Sequence, residues 1–227
     1  MTPKFRFVCA TRATTEGFQL DCALGRSLDL YRYPSTEVRL SPENKVGLPQ
    51  IYNAAIRDAA WNPAILIFAH DDVFLSDYFW REHIVAGLRD FDILGLAGNR
   101  RRVPMQPAWL FLDTYFTSDE DNLSGTVGHG DGFPPEHLSA YGPASVECKL
   151  LDGVMLIAHS EKLITNNLFF DEQFDFHHYD LDFCRQAEIQ GLRMGTCALS
   201  VIHQSLGNYD SDGWRNSYKK YISKWRS

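Results

Sequence analysis

Residues 64–69, AILIFA, form an unbroken apolar run between two segments of helical periodicity, and that placement constrains the fold most. Six residues are too few for a buried helix, and Ile65 and Ile67 are β-branched, so the run is expected to be a strand buried on both faces. Ahead of it, in GLPQIYNAAIRDAAW, Leu48, Ile51, Tyr52, Ala55, Ile56 and Ala59 recur at three- and four-residue steps, with Pro49 in the permissive first turn of a helix. Behind it, DYFWREHIVAGLRDF restores the helical period and DILGLAG gives a second buried strand. This alternation implies an α/β domain with a mostly parallel sheet flanked by helices. Such sheets bind ligands in the crevice beyond the carboxyl ends of their strands.

The remaining segments extend that frame. FRFVCATR reads as an opening strand ending at Thr11 and Arg12, followed by a helix around 15–28. DLYRY and TEVRL are short strand candidates. From Asn99 to Lys149 the chain is rich in Pro, Gly and aromatic residues and reads as a long irregular insertion. VECKLLDGVMLIAHSEKL restores a strand, with a turn at Asp152-Gly153, and YDLDFCRQAEIQGLRMG is a helix closing near Gly191. TCALSVIHQS is a last strand ending at His203. In the basic C-terminal stretch GWRNSYKKYISKWRS, Trp214, Tyr218, Tyr221, Ile222 and Trp225 fall near one helical face. That face suits docking on the domain or, exposed, peripheral contact with an anionic membrane.

With 227 residues and no internal repeat or low-complexity linker, one domain is the simpler organisation. A net charge of -7 argues against general nucleic-acid binding. No apolar run approaches the ~18 residues of a membrane helix. The N-terminus alternates apolar residues with Lys and Arg rather than carrying a leader's apolar stretch, so the expected compartment is cytoplasmic. Five scattered cysteines without CxxC spacing point to reduced, structural thiols.

Four clusters and an arginine run could carry chemistry. His70-Asp71-Asp72 stands at the end of the AILIFA strand, where adjacent carboxylates repel each other unless a cation offsets them. Hard oxygen ligands suit Mg²⁺ or Mn²⁺ with a substrate's phosphates; a solvent-facing strand end or a helix N-cap is the plainer alternative. Asp180 and Asp182 lie two apart at a helix start, where acids are favoured by the macrodipole. In the functional alternative Asp180 is a general base and Asp182 supports it, with His177, His178 and Tyr179 shaping the pocket. His203, at a strand end, is either an ordinary satisfied histidine or, with Asp72, part of an open Mn²⁺ site. Asn44 and Asn53 bracket a loop and helix start suited to phosphate or nucleotide contact. The run Arg100-Arg101-Arg102 is a phosphate holder or a solvated loop. GxGxxG, GxxxxGK[ST] and GxSxG are absent.

Taken in order, ENKVGLPQIYNAAI, IFAHDDVFL, LDGVMLIAHSEKL, FDEQFDFHHYDLDFCRQAEIQG and VIHQS resemble the segments of GT-A fold nucleotide-diphospho-sugar transferases, nearest to bacterial family-2-like glycosyltransferases. His70 stands where that family usually has the first Asp of its DxD motif, and Tyr179-Asp180 where it usually has Glu-Asp. The resemblance implies a hexosyltransferase-type enzyme moving a sugar from a nucleoside-diphosphate donor to a carbohydrate or other hydroxyl acceptor, with inversion. It implies Mn²⁺ or Mg²⁺ on Asp72, His203 and Asp71, and Asp180 as the base. Thr11, Arg12, Asn44, Asn53, His70 and Asp71 would line the nucleotide-sugar side. Asp152, Gly153 and Asp182 would line the acceptor side, with Trp109 as a sugar-stacking platform. Residues 5–98 would form the nucleotide-binding half, 99–208 the acceptor half with its long loop, and 209–227 a basic C-terminal helix. Two alternatives stay open: a catalytically silent nucleotide-sugar-binding or assembly protein, and a sugar nucleotidyltransferase, for which ATRATTEGF is a poor phosphate loop.

Overall fold

The computed structural model describes residues 3–30, 35–205 and 207–225. The chain opens with β1 (Phe5–Ala10), α1 (Thr15–Leu20), α2 (Ala23–Leu30) and β2 (Thr36–Ser41). Next come α3 (Leu48–Asp58), β3 (Ile65–Ala69), β4 (Val73–Leu75), α4 (Trp80–Asp90), β5 (Ile93–Gly95) and β6 (Ala97–Asn99). They are followed by β7 (Leu123–His129), β8 (His137–Gly142), β9 (Glu147–Cys148), β10 (Leu150–Leu151) and β11 (Met155–His159). The chain ends with α5 (Ser160–Thr165), α6 (Tyr179–Ile189), β12 (Met194–Thr196), β13 (Val201–His203) and α7 (Asp212–Trp225).

A seven-stranded sheet has the order β2-β1-β3-β11-β5-β12-β9. β1 runs parallel to β2 and β3, and β12 parallel to β5. The sheet is less parallel than the alternation of elements implies, because β11 enters its centre antiparallel to both β3 and β5. β11 starts from the Asp152-Gly153 turn at the ligand edge, so it can only run back toward the opposite edge. A second, six-stranded sheet has the order β10-β6-β7-β13-β4, with β8 on β7. The architecture is a mixed α/β domain with sheets flanked by helices.

All five residues of β3 are buried, as its unbroken apolar run requires. Its Phe68 packs on Tyr52 of α3 (4.8 Å) and on Phe170 (5.2 Å), while Trp80 of α4 meets Phe5 and Phe7 edge-on at 5.0 and 5.4 Å. Full burial of each such side chain contributes roughly 1.5–3 kcal/mol, so these rings fix the helices against the central strands.

Several sequence expectations need correction. The single helix over 15–28 is two helices: Thr14 caps α1 by accepting from Gly17 N at 3.1 Å, and α2 then crosses so close that a Cβ at Gly25 would strike the Phe18 carbonyl. Asp29 and Leu30 of DLYRY belong to α2, and its other three residues lie outside the described residues. DILGLAG changes sheet at Leu96, and TCALSVIHQS likewise divides into β12 and β13. The stretch 99–149 is irregular only in part: residues 100–119 form no regular element, but 123–142 supply β7 and β8, an antiparallel pair of the second sheet. α7 turns its rings inward, with Trp214 and Tyr221 buried, and leaves Arg215, Lys219 and Lys220 exposed. Among the described residues no helix is long and apolar enough to cross a membrane.

Asn53 is a strut of the fold. Its Nδ2 donates to Phe170 O (2.8 Å) and Glu172 Oε1 (2.9 Å), and its Oδ1 accepts from Phe170 N (2.9 Å), tying α3 to the segment before α6. Asn53→Ala would strand a buried backbone N–H and C=O together and is expected to lower stability by about 2–4 kcal/mol. Denaturant titration checks the loss.

Candidate active site

β3 delivers His70, Asp71 and Asp72 to the carboxyl edge of the central sheet, and β4 carries the chain away. β13 pairs antiparallel with β4, placing His203 opposite Val73 and beside Asp72. Gln204 N donates to Asp72 O at 3.0 Å and locks that register. β3 ends at Ala69, and the turn at residues 71 and 72 that leads into β4 splits the three polar residues. His70 and Asp72 turn toward His203, and Asp71 turns to the other side.

On the first side, ligand atoms of His70, Asp72 and His203 all lie within 4.8 Å of one another. Asp72 Oδ1 and His203 Nε2 are 3.3 Å apart, both buried, and neither makes a regular hydrogen bond among the described residues. Burial alone would raise Asp72, but the two histidines outweigh it and hold the carboxyl below its ordinary range. Burial alone would lower His203, and the Asp72 carboxylate reverses that and raises it. His70 is lowered, chiefly by burial. The Tyr179 hydroxyl donates to Gly153 O at 2.8 Å, so His70 Nε2–H donates to the Tyr179 oxygen at 2.9 Å. That assigns the tautomer and leaves His70 Nδ1 with a free lone pair.

Asp71 accepts a 2.6 Å hydrogen bond from Thr11 Oγ1 and lines a cleft of about 700 Å³. Thr11, Arg12 and the loop 44–47 form the other walls. Asn44 shapes that loop: its Nδ2 donates to Val46 O at 2.7 Å and its backbone N–H to Thr11 O at 2.8 Å. Asp71 is therefore not one of the three clustered ligands, and Asn53, bonded to Phe170 and Glu172, does not line the cleft.

The acceptor-side expectations divide in the same way. A second cavity, about 490 Å³, is walled by His70, Asp72, His203, Asp152 and Tyr209. A small recess holding Asp180 shares His70, Asp152 and Tyr209 with it. Asp180 Oδ2 accepts from Gly153 N at 3.0 Å, and its carboxyl is pushed up to about 7 by burial and then by the Asp152 carboxylate. Position 153 must be glycine, because a Cβ there would sit 2.6 Å from the Tyr179 hydroxyl and 2.9 Å from Asp180 Cβ. Asp152 Oδ1 accepts from Val154 N at 3.1 Å and closes the turn.

Asp182 does not line the acceptor side. Two residues along a helix is about 200° around its axis, so Asp182 faces away from Asp180. It is 0% exposed and accepts from Lys224 Nζ (2.7 Å), Trp225 Nε1 (2.8 Å) and Gln186 Nε2 (2.7 Å). Trp109 is a wall rather than a stacking platform: it is 4% exposed, with Tyr141 edge-on to its ring at 5.0 Å. Arg101 and Arg102 pair with Asp119 and Glu188, and Arg100 donates to Asp121 O, so the arginine run holds the loop together.

Thr11, expected on the nucleotide-sugar side, orients Asp71, a relation visible only when β1 is laid beside β3. One contributor is not singled out from the sequence. His129 of β7 pairs in register with His203 and stacks on His137 at 4.7 Å, in a strand concealed by its glycines.

No protein-family model and no curated protein matches this chain. Among solved structures, S. aureus TarS is similar at a TM-score of 0.53 and 15% identity, over 97% of this chain and 39% of that one. GalNAc-T7 with UDP, GalNAc and Mn²⁺ is similar at a TM-score of 0.51 and 12% identity, over 98% of this chain and 48% of that one. The chain thus spans less than half the length of either. Likeness over nearly its whole length shows the architecture: this chain has the GT-A fold.

Proposed function

We propose that the chain is a metal-dependent glycosyltransferase that moves a sugar from a nucleoside-diphosphate donor to an acceptor hydroxyl with inversion. The observation that carries the proposal is a single cavity edge where the cluster His70, Asp72 and His203 and the raised carboxyl of Asp180 share walls. The UDP and Mn²⁺ of the GalNAc-T7 structure support a nucleotide donor and a divalent ion here.

The residues fit such an ion. Asp72 Oδ1 and His203 Nε2 are buried without regular partners, and the tautomer of His70 frees Nδ1. Two imidazole nitrogens and one carboxylate favour Mn²⁺ over Mg²⁺, which prefers an all-oxygen shell. When bound, the ion supplies positive charge against the donor's diphosphate as it leaves. Thr11, Arg12 and the loop 44–47 seat the nucleotide, with Asp71 held in place by Thr11. Asp180 takes the proton of the acceptor hydroxyl, and a carboxyl near 7 is well matched to that work at neutral pH. Tyr179 bonds His70 while its neighbour Asp180 bonds Gly153, so the metal side and the base side are fixed by one helical turn.

By calorimetry, UDP is expected to bind at least about tenfold more tightly with Mn²⁺ than with Mg²⁺, the preference following ligand type. Asp72→Asn should abolish that difference. A donor screen reading nucleotide release tests turnover: Asp180→Asn should keep UDP affinity and lower the rate by roughly 10²–10⁴. Binding without release on any donor would support the silent protein instead. Asp180 must be unprotonated to accept a proton, so the rate should rise as pH climbs through about 7 and level off above it. A rate flat from pH 5.5 to 8.5 would remove Asp180 as the base.

A further inference from the structure

Asp180 sits in the first turn of α6, and the residues on both sides of it are held by α7. His178, directly before α6, has a φ of 62°, in the left-handed region that a side chain with a Cβ adopts only when its surroundings enforce it. Its ring is 4% exposed and packs against Trp214 (5.2 Å), Tyr218 (5.9 Å) and Tyr221 (5.8 Å), which recur along one face of α7. His178 Nε2 donates to Pro107 O at 3.1 Å, and the Tyr218 hydroxyl donates to Met105 O at 2.7 Å. The same face of α7 therefore also fixes the loop that brings Trp109 to the recess. Ser217 Oγ donates to His177 O at 2.7 Å, one residue further back.

On the other flank, Asp182 is fully buried; from the last turn of α7 the Lys224 ammonium pairs with its carboxylate and Trp225 Nε1–H donates to it. Lys224 also reaches Asp171 at 2.7 Å, joining the segment before α6 to the helix itself. Residues 178 and 182 bracket Asp180, and each is gripped by a different part of one helix. Nothing within α6 substitutes for this grip: His178 makes no side-chain cap, and Asp182 finds only Gln186 on its own helix.

We propose that α7 is a positioning element for Asp180, acting through His178 on one flank and Asp182 on the other. This rests on Asp180 being the base of the transfer reaction. Lys224 and Trp225 line neither the nucleotide cleft nor the two acceptor-side cavities. A change at Trp225 reaches the chemistry through α6, and one at Lys224 through α6 and the segment at Asp171 before it. Lys224 is the sharper probe, because removing its ammonium strands the buried Asp182 carboxylate while the aromatic face of α7 stays in place.

The test compares the full chain with Lys224→Met, Lys224→Arg and Trp225→Phe, the last removing one N–H donor and keeping a ring. Lys224→Met should leave Mn²⁺-dependent UDP affinity and donor KM within about twofold while kcat falls at least about tenfold, as a misplaced catalytic group does. Lys224→Arg should recover most of the loss, and Trp225→Phe should fall between. An unchanged kcat in Lys224→Met, a fall in step with UDP affinity, or no recovery by arginine overturns the proposal. Should the wild-type chain turn over no donor, the base assignment fails, and amide hydrogen exchange then decides the role of α7. Faster exchange over 179–183 in Lys224→Met, with 44–48 unchanged, supports the grip on α6; unchanged exchange over 179–183 overturns it.

Discussion

Antiparallel pairing of β4 with β13 is the constraint on which the site depends. It sets His203 beside Asp72 at 3.3 Å, and the Gln204-to-Asp72 backbone hydrogen bond prevents slippage of that register. A slip of one residue would turn His203 to the opposite face and leave Asp72 as an unmatched buried carboxylate. The turn that joins β3 to β4 separates Asp71 from His70 and Asp72. The doubled aspartate is thereby resolved into two separate placements: Asp72 faces the histidines, and Asp71 faces Thr11 and the cleft beside the loop 44–47.

Charge inside the site is arranged in opposed pairs. Asp72 is held ionised by two histidines, whereas Asp180, shielded from water and facing Asp152, is held near neutrality. Carboxyls driven apart in this way are suited to different work, one as a fixed negative ligand and one as a proton acceptor. Tyr179 joins the two regions. Its hydroxyl spans Gly153 O and His70, and it also packs against Tyr52 of the core at 5.9 Å. The site is therefore braced by the same aromatic cluster that holds α3 on the central sheet.

Much of the scaffold was legible because it is written in periodicity. The buried strand β3, the helices α3 and α4 and the inward face of α7 each follow from apolar spacing. His70, Asp72 and His203 were legible as polar residues at strand ends, and their convergence follows from which strand neighbours which. Asp182 was misplaced because acidic character at a helix start was weighed ahead of rotation: two residues along a helix is the wrong side. Asn53 looks like a polar residue near a ligand-facing loop, and only its partners at 170–172 reveal a structural amide. β7 was concealed because Gly125 and Gly128 break its alternation, and with it went His129 and the second sheet. The tautomer of His70 has no sequence signal, since it depends on a tyrosine 109 positions away.

The direct test of this account is an anomalous difference map from crystals of the chain grown with Mn²⁺ and UDP. The account requires one strong peak coordinated by His70 Nδ1, Asp72 Oδ1 and His203 Nε2, with Asp71 outside its shell and bonded to Thr11. A peak on Asp71, or one that leaves His70 uncoordinated, would contradict it.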